Sequence, residues 1–167
     1  MDFSKASLDS LARQTRVSVI GAGSCDENVG AQARELGALL AEAGYVIVCG
    51  GLGGVMEAVC QGASSRGGIS IGILPGENRN AVNEYVTLPV ATSLSHMRNY
   101  LVVINGDIVV AVEGETGTLS ELALALKSGR KVIALGRYSS MESVIPAADV
   151  HEALRLVKQF ATPYKAT

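Results

Sequence analysis

Three glycine-rich turns carry the residues best suited to chemistry in this chain. Gly21-Ala22-Gly23-Ser24 follows the apolar run Val17–Ile20, and Gly50-Gly51-Leu52-Gly53-Gly54 follows Val46–Cys49. Gly114-Glu115-Thr116-Gly117-Thr118 follows Ile108–Val112. Each turn leads into a stretch with helical character. A strand-to-helix turn free of bulky side chains lets backbone N–H groups and a helix N-terminus approach an anion closely. If the preceding strands are neighbours in a parallel sheet, all three turns share its C-terminal edge, where open α/β sheets bind ligands. One tight turn would say only that glycine tolerates positive φ. Three on one edge point to a phosphate-bearing ligand such as a nucleotide.

Two side chains stand close to these turns in sequence. Glu121 lies three residues after Thr118, in the first turn of a predicted helix. It is either the far half of a capping box with Thr118 or a carboxylate beside the ligand. Arg98 lies near the start of another predicted helix. It is either an ordinary solvated or salt-bridged arginine, or a clamp for a phosphate or carboxylate at the sheet edge. Two familiar nucleotide motifs are absent. The first turn departs from G-x-G-x-x-G because Asp26 stands at the third glycine, and the second strand ends in Cys49-Gly50-Gly51 with no carboxylate for a ribose. That argues against an NAD(P) dehydrogenase. No glycine turn is followed by Gly-Lys-Ser/Thr, which argues against a Walker-type ATPase or kinase.

The elements that must position these residues read as an alternation. Strands are expected at Arg16–Ile20, Tyr45–Cys49, Ile69–Leu74, Asp107–Val112 and Lys131–Leu135, with a short one at Glu84–Pro89. Helices are expected at Asn28–Ala43, Val55–Ser64, Leu94–Ile104, Thr118–Ser128 and Val150–Phe160, with a weak one at Ser7–Gln14. Glu77–Asn83 reads as a loop near the binding edge, and Ser143–Ile145 is ambiguous. Alternating strand and helix implies an α/β fold with a parallel sheet covered by helices on both faces. The expected division is an N-terminal extension over 1–15, one domain over 16–161 and a polar tail over 162–167.

Composition agrees with that class. Of 167 residues, 48% are apolar and 18% charged, so a substantial core is available. Ala, Val, Leu, Ile and Gly suit strands buried on both faces. The formal net charge of −2, with no strongly basic stretch, argues against a nucleic-acid partner. Cys25, Cys49 and Cys60, with His96 and His151, show neither zinc spacing nor a disulfide framework. No metal site is expected. No secretory leader or membrane-length apolar run is visible, so a cytoplasmic protein without membrane contact is expected.

The motifs together resemble a known family. Gly50-Gly51-Leu52-Gly53-Gly54-Val55-Met56-Glu57-Ala58-Val59 is similar to the GGGxxGLMGAV-type signature of the Lonely Guy family. Ser95-His96-Met97-Arg98-Asn99 resembles its M-H-E-R-K segment, and Glu113-Gly114-Glu115-Thr116-Gly117-Thr118-Leu119-Ser120-Glu121 its P-G-G-x-G-T-x-x-E segment. The resemblance spans roughly Arg16–Leu135 and implies a Rossmann-like fold. Members hydrolyse the N-glycosidic bond of nucleoside 5′-monophosphates and commonly dimerise. Their essential Arg and Glu fall on Arg98 and Glu121, and their phosphate-holding turn on Gly117-Thr118. Glu113 and Glu115 depart from the PGG turn, and Asn99 replaces a Lys; both changes weaken phosphate electrostatics. These departures, and the run Ala123–Lys127, resemble more closely the molybdenum-cofactor carrier branch of the superfamily. That branch implies binding of a pterin-phosphate cofactor without chemistry. The expected ligand is thus a nucleotide or a molybdopterin-type molecule held by a homodimer or higher homo-oligomer, the alternative being a phosphoribohydrolase.

Overall fold

Short Val- and Ile-rich runs form the strands, and their residues alternate between two cores. The computed structural model describes residues 5–162. In chain order the elements are α1 (Lys5–Ala12), β1 (Arg16–Ile20), α2 (Glu27–Glu42), β2 (Val46–Cys49), α3 (Val55–Ser64), β3 (Ser70–Leu74) and β4 (Leu88–Ala91). They continue with α4 (Arg98–Ile104), β5 (Ile108–Ala111), α5 (Thr116–Lys127), β6 (Val132–Ala134), β7 (Ile145–Pro146) and α6 (Val150–Phe160). The expected tail falls outside the described residues apart from Thr162.

All strand pairings are parallel, in the order β4-β3-β2-β1-β5-β6-β7. This is the α/β Rossmann-like fold expected from the sequence. The period of two along each strand sorts side chains between its faces. Val17, Val19, Ile47, Cys49, Ile108, Val110 and Ile133 join the core beneath α2, α3 and α6. Ile20, Val48, Val109, Ala111, Val132 and Ala134 join the core beneath α4 and α5. Ser18 is the polar exception among these strands, and its buried hydroxyl donates to the Val102 carbonyl at 2.6 Å.

The order runs outward from β1 in one direction and from β5 in the other. Right-handed crossovers then force α2 and α3 onto one face and α5 onto the opposite face. The loops after β1 and β5 diverge, and a crevice opens between them.

Local boundaries differ from expectation for identifiable reasons. Asp26 accepts from Val29 N–H at 2.9 Å, so α2 begins at Glu27. β4 includes Pro89, which an edge strand tolerates because one row of its hydrogen-bonding groups is unpaired. The expected Leu94–Ile104 helix is a 3-10 turn over Ser95–Met97 followed by α4. The ambiguous Ser143–Ile145 region ends in the two-residue strand β7. The predicted Ser7–Gln14 helix is displaced to Lys5–Ala12. Among the described residues no helix is long and apolar enough to cross a membrane.

Helices α2 and α3 cross in close contact because glycine stands at the crossing on each. A Cβ at Gly37 would strike the Val59 carbonyl, and one at Gly62 would strike the Arg34 carbonyl. Both obstacles are backbone and cannot rotate away. Gly62→Ala is expected to lower stability by about 1–3 kcal/mol through overpacking, a fall of roughly 3–10 °C in the thermal unfolding midpoint. An unchanged midpoint would show that the helices separate at no cost.

Candidate functional site

The crevice at the β1/β5 switch is a cleft of ≈ 740 Å³, within the size range of small-molecule sites. The loop after β1 supplies Gly21, Ala22, Gly23, Ser24, Cys25 and Asp26 to one wall. The loop after β5 and the start of α5 supply Glu113, Gly114, Glu115, Thr116, Gly117, Thr118 and Glu121 to the other. The segment around α4 brings His96, Arg98 and Asn99. The first and third glycine turns thus face each other, with Arg98 and Glu121 between them.

The N-termini of α2 and α5 both border this cleft, and they differ. That of α2 is closed by its own Asp26 carboxylate, which occupies the position an incoming anion would take. That of α5 begins after Glu115 and has no side-chain cap. The N–H groups in the first turn of a helix have no intrahelical partner, so those of α5 remain for a ligand. Because α5 starts at Thr116, Thr118 lies inside the helix, and the capping-box alternative for Thr118 and Glu121 does not form. No Cβ contact closes the space at Gly117.

Glu121 and Arg98 are both buried. Arg98 Nη1 lies 3.9 Å from Glu121 Oε1, near enough for attraction and too far for a hydrogen bond. Arg98 Nε and Nη1 are buried without an acceptor among the described residues. Burial lowers the affinity of the Arg98 guanidinium for its proton, with Glu121 partly restoring it. Burial likewise raises the Glu121 carboxyl to about 7, against a smaller opposing pull from Arg98. Arg98 occupies this position because residue 50 is glycine: a Cβ there would overlap its guanidinium.

The second glycine turn lies behind the cleft. Gly50, Gly51, Gly53 and Gly54 do not line it, whereas Leu52 and Met56 do. Val55 N–H donates to the Ala22 carbonyl at 2.9 Å, so this turn braces the first. Asn83, from the expected loop, pins it further: its N–H donates to the Gly51 carbonyl and its side-chain amide to the Leu52 carbonyl, each at 2.9 Å.

The charge expected from Glu113 is compensated. Its carboxylate accepts from Arg137 N–H at 2.9 Å and pairs with Arg137 Nε at 3.5 Å. Arg137 Nη1 donates to the Gly114 carbonyl at 3.0 Å, and the Tyr138 hydroxyl lies 2.9 Å from the carbonyls of Gly114 and Glu115. Sequence reasoning missed both residues. The signal was Gly136, a fourth glycine following a strand on the same edge, with φ +67°. Cys25, His96 and Asn99 were also unassigned, although they line the cleft. Among the described residues no group of three His, Cys, Asp or Glu side chains is placed to hold a metal ion.

Comparison with known proteins gives a consistent picture. The sequence profile of the SLOG cluster4 family matches residues 14–167. An uncharacterized protein of Archaeoglobus fulgidus is 44% identical over 120 residues, which is 72% of this chain and 79% of the relative. The molybdenum cofactor binding protein of the phototrophic bacterium Rippkaea orientalis superposes with a TM-score of 0.86 at 35% identity, covering 90% of this chain and 99% of that one. The molybdenum cofactor carrier protein of Chlamydomonas reinhardtii superposes with a TM-score of 0.80 at 34% identity, covering 89% and 98%. These matches bear out the resemblance to the Lonely Guy superfamily and its carrier-like branch.

The buried carboxyl makes a stability prediction. Glu121 holds its proton more tightly when folded, at about 7, than at the 4.5 of an unperturbed carboxyl. The folded state therefore binds the extra proton between these values, and the stability it contributes below about pH 4.5 is lost as pH rises to about 7. The full loss is on the order of 3 kcal/mol. Glu121→Gln removes it, so the variant's thermal midpoint is expected to exceed that of the wild type at pH 8 and to converge with it near pH 5. A constant difference across that range would place the cause elsewhere.

Proposed function

The chain belongs to the SLOG cluster4 family, and from that premise we propose that its cleft binds a phosphate-bearing small molecule of the molybdopterin type and carries it without transforming it. The observation that carries this reading is Arg98, whose buried Nε and Nη1 lack acceptors at the base of a cleft that also presents the uncapped N-terminus of α5. Buried donors without partners are costly, and a ligand oxygen satisfies them. The relatives named as molybdenum cofactor binding and carrier proteins supply the ligand class.

The residues fit such a group. Gly117 and Thr118 would receive the phosphate on backbone N–H groups, and Gly21–Ser24 would form the opposite wall. Leu52, Met56 and Val29 offer apolar surface to a flat ring. The bound cofactor supplies redox chemistry to enzymes that receive it; this chain contributes shape, donors and shelter. A small ligand is favoured over nucleic acid because the rim carries Asp26, Glu113 and Glu115, and only Arg137 among the rim groups supplies a formal positive charge. The three free cysteines suit a reducing cytoplasm.

A second reading, hydrolysis of a nucleoside 5′-monophosphate, has one observation in its favour. A carboxyl raised to about 7 and lining the cleft is suited to proton transfer near neutral pH. The residues offer no separate second acid at the expected position for the leaving base, so binding without turnover remains the expectation.

Assembly follows from the exposed apolar side chains. Leu88 and Val90 pair in register with Ile71 and Ile73, which places them on the sheet face that carries α4 and α5. Leu94, Met97, Tyr100 and Leu119 are exposed around those helices. We assign this surface to contact with a second copy of the chain.

Two outcomes check these readings. Purified protein, denatured and analysed by mass spectrometry, is expected to release a phosphate-bearing pterin or nucleotide. Gly117→Val, which fills the open space beside the N-terminus of α5, is expected to cut retention of that molecule at least tenfold while remaining folded. Steady release of free base from AMP, abolished in Glu121→Gln, would select the hydrolase instead. Light scattering at micromolar concentration is expected to give at least a dimer, and a monomer would leave the apolar surface unexplained.

A further inference from the structure

The pair formed by Arg98 and Glu121 does not close. The two side chains are only 9% and 10% exposed, yet they stand 3.9 Å apart, and two of the guanidinium nitrogens have no acceptor. A structural ion pair at this depth would be expected to use its donors, because an unmet buried guanidinium is destabilising. The unmet donors have almost no exposed area themselves, but the side chain that carries them lines the cleft, so an oxyanion reaches them as the guanidinium turns towards it.

Other groups do not complete the pair. Glu113 is engaged by Arg137. Asp26 caps α2, and Glu115 is exposed at the start of α5. The Cys49 thiol, behind Arg98, is held well above its usual range by its contact with Cys60 and by burial, so it offers no negative charge. Cys25 and His96 are exposed on the cleft wall, and burial with the neighbouring Asp26 raises the Cys25 thiol. Among the described residues Glu121 is the one carboxylate in contact range of the guanidinium.

We propose that Arg98 is a second anion subsite of the cleft, separate from the N-terminus of α5, and that an oxyanion enters it only as Glu121 takes up a proton. The proposal rests on the ligand-binding reading of the cleft and deepens it. An oxyanion on Arg98 is brought beside the Glu121 carboxylate in a poorly solvated place, where like charges repel strongly. Protonation of Glu121 removes that repulsion and frees Arg98 to act as an uncompensated cation. The carboxyl is poised for this, since burial has already raised it to about 7.

The arrangement also defines the ligand. Glu121 stands about one helical turn beyond Thr118 on α5, so the carboxylate beside Arg98 is set apart from the helix N-terminus along the helix. The cleft therefore selects a small molecule bearing two separated acidic groups: a phosphate monoester for the helix N-terminus and a second anionic oxygen or sulfur for Arg98. A molecule with the phosphate alone occupies one subsite, and its binding is insensitive to the state of Glu121.

Inorganic sulfate tests this, because it keeps both charges throughout the working pH range. Its affinity is measured by titration calorimetry from pH 5.5 to 8.5 in buffers of different protonation enthalpy. Wild type is expected to show two classes of sulfate site: one at the helix N-terminus that is flat with pH, and one at Arg98 that is constant below about pH 6 and weakens towards tenfold per pH unit above about 7, with one proton taken up per sulfate bound there at pH 8. Glu121→Gln is expected to bind at pH 8 as tightly as wild type does at pH 6, without pH dependence or proton uptake. Arg98→Met is expected to lose the pH-dependent site. Affinity that is flat with pH in wild type, or a slope that persists in Glu121→Gln, overturns the proposal while leaving the helix N-terminus as an anion site. Absence of sulfate binding at every pH, with phosphate esters still retained in a manner sensitive to Gly117→Val, overturns the second subsite alone; absence of both overturns the ligand-binding reading too.

Discussion

The reversal of strand order at β1 and β5 is the constraint from which the site follows. Two parallel strands lie side by side, and the crossovers leaving them run in opposite directions across the sheet. Because each crossover is right-handed, their helices must sit on opposite faces. No described residue then fills the space above the C-terminal ends of β1 and β5. The chain can leave that space open because the strands beneath are secured from both sides, by a core under α2, α3 and α6 and by another under α4 and α5. The cleft is a consequence of topology before any side chain is specified.

Electrostatics then distinguish the parts of that cleft. The cleft is better described by the charges it neutralises than by the charges it adds. Asp26 faces its own helix N-terminus, and Glu113 is turned into Arg137. Each of these carboxylates is committed to a local partner, so the net acidity of the rim overstates the repulsion an anion meets. The pair left uncommitted is Arg98 with Glu121, and its location at the base explains why burial dominates both groups. A shallow Arg–Glu pair would be screened and of small effect. Here, removal from solvent makes the protonation of one carboxyl decide the charge that the ligand encounters.

The sequence made the strands, the parallel sheet and the two facing turns legible, because Val/Ile runs ending in glycine have few alternatives. Arg98 and Glu121 were also visible, but only as undecided possibilities: spacing could not say whether Glu121 caps a helix or faces a ligand. The answer depended on where α5 begins, and Glu115 at that start uses no side-chain cap, so nothing in local composition marked it. That the second glycine turn lies behind the cleft was illegible for a related reason. Glycine that lets a guanidinium lie over the backbone, as at Gly50, looks the same in sequence as glycine that admits a phosphate. Arg137 and Tyr138 were invisible because their role is set by a contact across 23 or 24 residues to the Glu113–Glu115 turn. The departure of that turn from the family pattern adds negative charge, and the compensation for Glu113 comes from Arg137 in the turn after β6.

The same compensation bears on carriage as opposed to catalysis. Arg137 and Tyr138 tie the Gly114 and Glu115 carbonyls, so the third turn is held rigid before any ligand arrives. A preformed turn lowers the ordering cost of binding, and this helps capture whether or not a reaction follows. Catalysis of glycosidic cleavage demands more: a carboxylate at the reacting carbon and a proton for the leaving group. Glu121 can be charged or protonated near neutral pH, but one residue cannot hold both states at once. With Arg98 beside the same carboxyl, the charge of the pair changes with the protonation of Glu121 near neutral pH. A binding protein can use that property in uptake and release, whereas a hydrolase relying on this one carboxyl would still need a second proton-transfer group.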